Sequence, residues 1–428
     1  GFSRYSTDGK WLVPHFEKML YDNALLAAAY LEAYLITGKS LYKTVVTRTL
    51  DYVLRELTDA QGGFYCGQDA DSDGVEGKYY LFTREEIANV LGDADGKRFC
   101  DWFGVTAAGN FEGKNILNLI ENRRFEESDE QIERLCQKLY EYRLSRTRLH
   151  KDDKVLTAWN GLMIAALARA GWLLGDARYL AAAQKAQYFI ATQLTGERNR
   201  LRLRWRDGEA AHDGQLDDYA FYALALLALY QATLDAGYLD AAIKAAEQML
   251  TLFSDDGKGG FYRSASDGEQ LITRPKECYD GALPSGNSVA ALVLCRLAAL
   301  TGEQKWQRAA DRQLGYVCGA LADYPSGYCV SLLALMTVLY PAQELICTAS
   351  DSGGPAELLS FLRKNSVLGL TVLAKTAESQ QVLAQAAPFT AGYPLPGRGC
   401  AYYLCRNRAC SAPVYTLAEL SRLLCAKA

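Results

Sequence analysis

Three long segments, 154–174, 214–236 and 284–300, are small and apolar nearly all round, as in Gly161-Leu162-Met163-Ile164-Ala165-Ala166-Leu167-Ala168. Helices with that pattern are covered on every side. Segments 17–37 and 326–338 share the character. Between them lie segments of a second kind, 40–57, 176–194, 239–254 and 303–321, which gather Lys, Arg, Glu and Gln on one face. Such amphipathic helices cover a core from outside. A repeat underlies the alternation. Gly1-Phe2 recurs as Gly63-Phe64 and Gly260-Phe261, with 62 and 197 residues between successive phenylalanines. Gly38, Gly175, Gly237 and Gly302, each followed closely by an aromatic residue, are spaced by 137, 62 and 65. The unit is therefore 62–68 residues long: a buried helix, a glycine turn, an amphipathic helix and a glycine-rich hairpin. A ring of buried helices inside a ring of amphipathic ones is an all-α fold, an α/α toroid, and about six units would close it.

Within this pattern, 83–146 is irregular, with a short helix expected near 84–104 and another near 127–146. Strand pairs are expected at 62–82, 199–206 and 259–273. Past residue 340 the pattern changes. Strands are expected at 343–348, 367–373 and 400–405, with a helix near 355–364, and a last helix near 416–426. The expected organisation is a toroid over 1–340, a small α/β excursion over 341–413, and a final helix over 414–428 packing back on the toroid. Gly161 and Ala165 lie on a helix apolar all round, so Ala165→Leu is expected to overpack it.

Composition narrows the function classes. A net charge of −4 and a pI near 5.7 give no basic excess for nucleic acid or an anionic membrane. No apolar run reaches spanning length without polar interruption, so no membrane helix is expected. The chain opens inside a motif, without Met or a signal peptide, and reads as part of a longer protein. Its 12 cysteines include no Cys-x-x-Cys, which reads as free thiols in a reducing cytoplasm. Cys400, Cys405 and Cys410 have no fourth ligand to make a zinc set, and Asp69-x-Asp71-x-Asp73-Gly74 begins like a calcium loop but has Tyr80 where a bidentate Glu belongs. No metal is expected. With no phosphate-binding glycine loop and no Gly-x-Ser-x-Gly elbow, no cofactor is expected either. Arg200, Arg202, Arg204 and Arg206 alternate with apolar residues, giving a strand with one cationic face.

The candidate chemistry sits where the inner helices begin. The first cluster is His15, Glu17, Lys18, Tyr21 and Asp22; the second is His150, Asp152, Asp153, Trp159 and Asn160; the others are Asp217, Asp218 and Tyr219, then Asp280, Ser285 and Asn287. Helix N-termini favour anions and acids. In a toroid these starts share one mouth, joined by the hairpin residues Asp69 and Asp71. Carboxylates and amides beside aromatic rings suit a polyol. Asp153, Asp218 and Ser285 also suit plain N-capping.

The runs VPHFEKMLYDNALL (13–26), DADSDGVEGKYY (69–80), GNFEGKNIL (109–117), DDKVLTAWNGLMIAAL (152–167), LDDYAF (216–221) and DGALPSGNSVAA (280–291), with the tail AYYLCRNRACSAPV (401–414), carry a resemblance. The chain resembles the C-terminal part of the spermatogenesis-associated protein 20 family, thioredoxin-domain proteins. Their second part is similar to N-acylglucosamine 2-epimerase and the six-hairpin glycosidases. The resemblance implies an (α/α)6 barrel, here without its thioredoxin part and one helix pair short. It points to a sugar isomerase or epimerase, for which His15 and His150 are the candidate acid and base. An inverting glycoside hydrolase would instead use Asp152 or Asp153 with Asp218. The third reading is a non-catalytic or regulatory scaffold whose partner is a thioredoxin-like domain of the same longer protein.

Overall fold

The computed structural model describes residues 1–269, 272–340, 343–365, 369–406 and 409–425. It divides into two compact units: Gly1–Thr58 with Tyr65–Lys154, and Asp59–Phe64 with Val155–Ala428.

In the first unit α1 (Leu20–Thr37) and α2 (Ser40–Glu56) form a helical hairpin. It turns at Gly38, whose φ of 68° is left-handed and whose N–H closes on the Tyr34 carbonyl. α1 begins three residues later than the pattern predicts. Lys18–Met19 is a short strand, paired antiparallel with Gly67–Gln68, which pairs in turn with Lys151–Asp152. The expected helix near 84–104 is two, α3 (Arg84–Leu91) and α4 (Asp93–Trp102), because Gly92 breaks the chain between them at φ 82°. Thr83 and Glu86 form a capping box at the start of α3. α5 (Glu130–Arg146) starts at Asp129, whose carboxylate accepts the Gln131 and Ile132 N–H groups. Phe82, Ile87, Phe99, Ile132, Leu135 and Leu139 give this helical trio its own core.

In the second unit, α6 (Thr157–Leu174) and α7 (Ala177–Gln193), α8 (Leu216–Thr233) and α9 (Ala236–Phe253), and α10 (Gly286–Thr301) and α11 (Gln304–Leu321) are successive hairpins, followed by α12 (Cys329–Leu339). The all-apolar helices α6, α8, α10 and α12 pack side by side in that order. Each amphipathic helix packs on the apolar helix before it. The fold class is therefore the one the pattern predicts: helical, of α/α-toroid type, with small sheets at the hairpins. α6 and α8 approach so closely that a Cβ on Gly161 would lie 2.7 Å from the Phe221 carbonyl. Ala165 is only half-buried, which lessens the overpacking expected of Ala165→Leu.

A four-stranded sheet follows α12. Gln343–Ala349 lies between the parallel strand Leu370–Lys375 and the antiparallel strand Cys400–Arg406, which pairs with Ala409–Cys410. α13 (Gly353–Lys364) and α14 (Gln380–Ala386) pack around it, and α15 (Leu417–Cys425) ends the described chain. The Trp172 indole donates to the Leu359 carbonyl, and Tyr230 donates to Val372, so α6 and α8 are bonded to this α/β part. Residues 367–368 of the strand expected at 367–373 and residue 426 of the last expected helix lie outside the described residues. So do 270–271 of the expected 259–273 pair; the described part of that pair has only a bridge between Ser254 and Phe261. Cys405 and Cys410 form a disulfide, which corrects the reading of all twelve cysteines as free thiols. They sit directly opposite each other on paired strands, a proximity that their spacing of five residues leaves open.

Candidate functional site

The opening cluster is real but is not a helix N-terminus. His15, Glu17 and Lys18 precede α1 in extended chain, and only Tyr21 and Asp22 lie in its first turn. The chain turns back on itself there: the Thr7 N–H donates to the Val13 carbonyl and the His15 N–H to the Tyr5 carbonyl. Arg4 is thereby brought against the carboxylates, its Nη1 3.1 Å from Glu17 Oε2 and its Nε 3.9 Å from Asp22 Oδ2. His15 stacks on Tyr5 at 4.9 Å, with Nδ1 3.9 Å from the same Glu17 oxygen. Burial, together with the charge of Glu17, pushes the Asp22 carboxyl up to about 6 against the pull of Arg4. The buried phenol of Tyr21 is also raised, by burial and by Asp22. One imidazole, two carboxyls, a guanidinium and two phenols thus meet, and one carboxyl is raised above the usual carboxylate range.

The remaining candidates of the first unit lie around its three-stranded sheet. His150 is exposed, and its carbonyl accepts the Asp69 N–H. Asp152 pairs with Lys154 at 2.9 Å, and Asp153 is partly buried. Asp69 and Asp71 are exposed; the third carboxylate of that loop, Asp73, is held by Lys78 and Thr147. Among the described residues no group of three or more His, Cys, Asp or Glu is placed to hold a metal ion.

In the second unit the amides belong to the scaffold. Asn160 accepts the Phe64 N–H at 2.7 Å and donates to the Phe64 carbonyl at 2.9 Å. Asn287 does the same to Phe261, at 2.8 and 2.9 Å. In the first unit Asn23 holds Phe2 in this way, at 2.7 and 3.2 Å. In α8 the corresponding partner is Tyr219, whose hydroxyl accepts the Leu201 N–H. Tyr219 is 1% exposed and packs on Phe253, so it is not the stacking surface expected of it. Each repeat thus clamps the backbone of a hairpin to an inner helix through one buried side chain. The recurring Gly-Phe dipeptide marks the three residues clamped by asparagines, a connection that the repeat spacing contained and that sequence reasoning missed.

Asp218 is also spent. Its carboxylate accepts N–H groups from Gln215 and Ala158, and burial raises it to about 8. Asp217 is raised by burial too, against Arg263 and a hydrogen bond from the Gly286 N–H. Asp280 takes the Ser285 and Val330 N–H groups, tying together the starts of α10 and α12. Ser285 caps α10 through the Ser288 N–H. Trp159 is half-buried. Sequence reasoning also missed Arg4 and Tyr5, because neither lies on a periodic element.

The architecture is that of the α/α-hairpin class. The chain is similar to spermatogenesis-associated protein 20: it is 31% identical to the human protein over 99% of its own length, and 30% identical to the rat protein. It spans about 60% of the length of these relatives. No family model matches the chain. Among solved structures, a cellobiose 2-epimerase from Spirochaeta thermophila aligns with a TM-score of 0.46 and 13% identity, over 72% of this chain and 61% of that one. A D-mannose isomerase aligns with a TM-score of 0.40 and 14% identity, over 71% and 76%. Among the described residues no helix is long and apolar enough to cross a membrane.

Proposed function

We propose that this chain is a carbohydrate-active protein of the sugar isomerase or epimerase kind, and that its acid–base centre is the Arg4, His15, Glu17, Tyr21 and Asp22 cluster. The observation that carries this reading is the meeting of an imidazole and a guanidinium on Glu17, with the half-buried Asp22 carboxyl beside the guanidinium. An epimerase needs a base to take the proton alpha to a carbonyl, an acid to return it, and a cation for the charge that develops on oxygen. His15 supplies the first and Asp22 the second, in place of His15 with His150, because His15 and Asp22 both have Glu17 as a neighbour. Arg4 supplies the third. The sheet beside the cluster offers Asp152 and Lys154 as rim contacts for hydroxyls.

The test is proton exchange at C2 of free sugars in heavy water, followed by NMR. His15→Ala is expected to slow exchange by about 10²-fold or more, the usual contribution of a positioned acid or base. A centre that needs protonated Asp22 loses activity as pH rises through about 6, and Asp22→Asn removes that limb of the profile. A sugar that binds without exchange favours the second reading, a scaffold partnering a thioredoxin-like domain. That reading draws support from the amides and carboxylates of the second unit being spent on their own backbone. No sugar bound at millimolar concentration ends the carbohydrate reading.

A further inference from the structure

Lys18 follows Glu17 in the chain but has a different set of neighbours. Its Nζ lies 5.1 Å from the ring centroid of Tyr52 on α2 and 5.0 Å from that of Tyr80. The ammonium makes no hydrogen bond or ion pair with any described residue. Arg143 on α5 lies over Tyr80 as well, its Cζ 5.3 Å from the centroid, and also over Tyr79 and Tyr140. It too has no carboxylate partner among the described residues, and its Nε is buried without a hydrogen bond. The Tyr80 hydroxyl is likewise buried with no partner. The one carboxylate nearby, Glu56, is already taken by Arg55, Lys151 and Tyr140. Gln68, opposite Lys18 on the paired strand, is occupied by the Tyr52 hydroxyl.

Two cations and a phenol O–H that lack a hydrogen-bond acceptor among the described residues, drawn from three separate segments, form an arrangement that is costly to bury by itself. It suits an oxyanion, with a guanidinium and an ammonium to share its charge and a hydroxyl donor to fix its orientation. We propose that Lys18, Arg143 and Tyr80 form an oxyanion-binding site, for the carboxylate or phosphate group of a ligand, separate from the Arg4–Asp22 cluster. The proposal does not depend on the epimerase reading. Burial and the neighbouring Arg143 and Arg55 lower the Lys18 ammonium to about 7, against Glu56. A bound anion restores its charge, so binding tightens as pH falls through about 7 and takes up a proton.

The experiment is calorimetric titration of the whole chain with inorganic phosphate and with acetate, at matched ionic strength, in buffers of different ionisation enthalpy. Saturable binding with proton uptake near pH 7 is expected. Tighter phosphate binding identifies a phosphoryl ligand and tighter acetate binding a carboxylate; either outcome supports the site. Lys18→Met and Arg143→Met should each weaken binding by about tenfold or more. Lys18→Met removes an unpaired cation, so its midpoint without anion should stay at or above that of the parent. Neither anion binding beyond a chloride control, or undiminished binding in both variants, overturns the proposal.

Discussion

Asn160→Ala is expected to be among the most destabilising single substitutions in the chain. It removes both hydrogen bonds to Phe64, whose N–H and carbonyl then lie buried without a partner. A buried backbone group left unsatisfied costs about 1–3 kcal/mol, so the pair puts the loss at about 2–5 kcal/mol. Asn160→Asp tests the cause. It keeps the acceptor for the Phe64 N–H but loses the donor to the Phe64 carbonyl and buries a charge, so it should also destabilise, most strongly above the carboxyl's pKa. Chemical denaturation of the three proteins measures this, and an alanine variant within about 0.5 kcal/mol of the parent would rule out the clamp. Asn287→Ala should behave alike. There the Gln313 amide, which donates to the Asn287 carbonyl and Oδ1, would lose one of its acceptors as well.

Gly161→Ala carries the second large effect. On an exposed helix this change would stabilise by about 1 kcal/mol through propensity. Here the added methyl would sit 2.7 Å from both the carbonyl carbon and oxygen of Phe221. Backbone atoms of a packed helix cannot rotate away, so α6 and α8 must separate. The net expectation is a loss of about 1–3 kcal/mol, read as a lower denaturation midpoint. Ala165→Leu, four residues on, is the control and should change little, since Ala165 is only half-buried.

The helical hairpins were legible because α6, α8 and α10 are apolar all round while α7, α9 and α11 are not, and that contrast needs no knowledge of distant residues. The starts of the inner helices were less so. The sequence places His15, Glu17 and Lys18 in the first turn of a helix, but Lys18 pairs with Gln68, and no local pattern reports a partner so remote. Asn160, Tyr219 and Asn287 show a different limit. A buried amide that clamps a backbone and one that binds a hydroxyl are the same residue in the same register, and only the position of Phe64 or Phe261 separates them. The Arg4, His15, Glu17 and Asp22 cluster was half legible: its acids and imidazole stood out, while the arginine that organises them did not.

The clamps differ in how much chain they enclose. Asn23, Tyr219 and Asn287 reach backbones 21, 18 and 26 positions away. Asn160 reaches across 96, because α3, α4 and α5 are spliced between Phe64 and the helix that holds it. The entropy of ring closure grows with the logarithm of the enclosed length, so this clamp costs about 1 kcal/mol more to close than its counterpart at Asn287. The α8–α11 hairpins can assemble from local encounters. The junction of Phe64 with α6 must wait for a long chain to find its own beginning. Refolding should therefore end there, and amide exchange at Phe64 should be slowest to become protected.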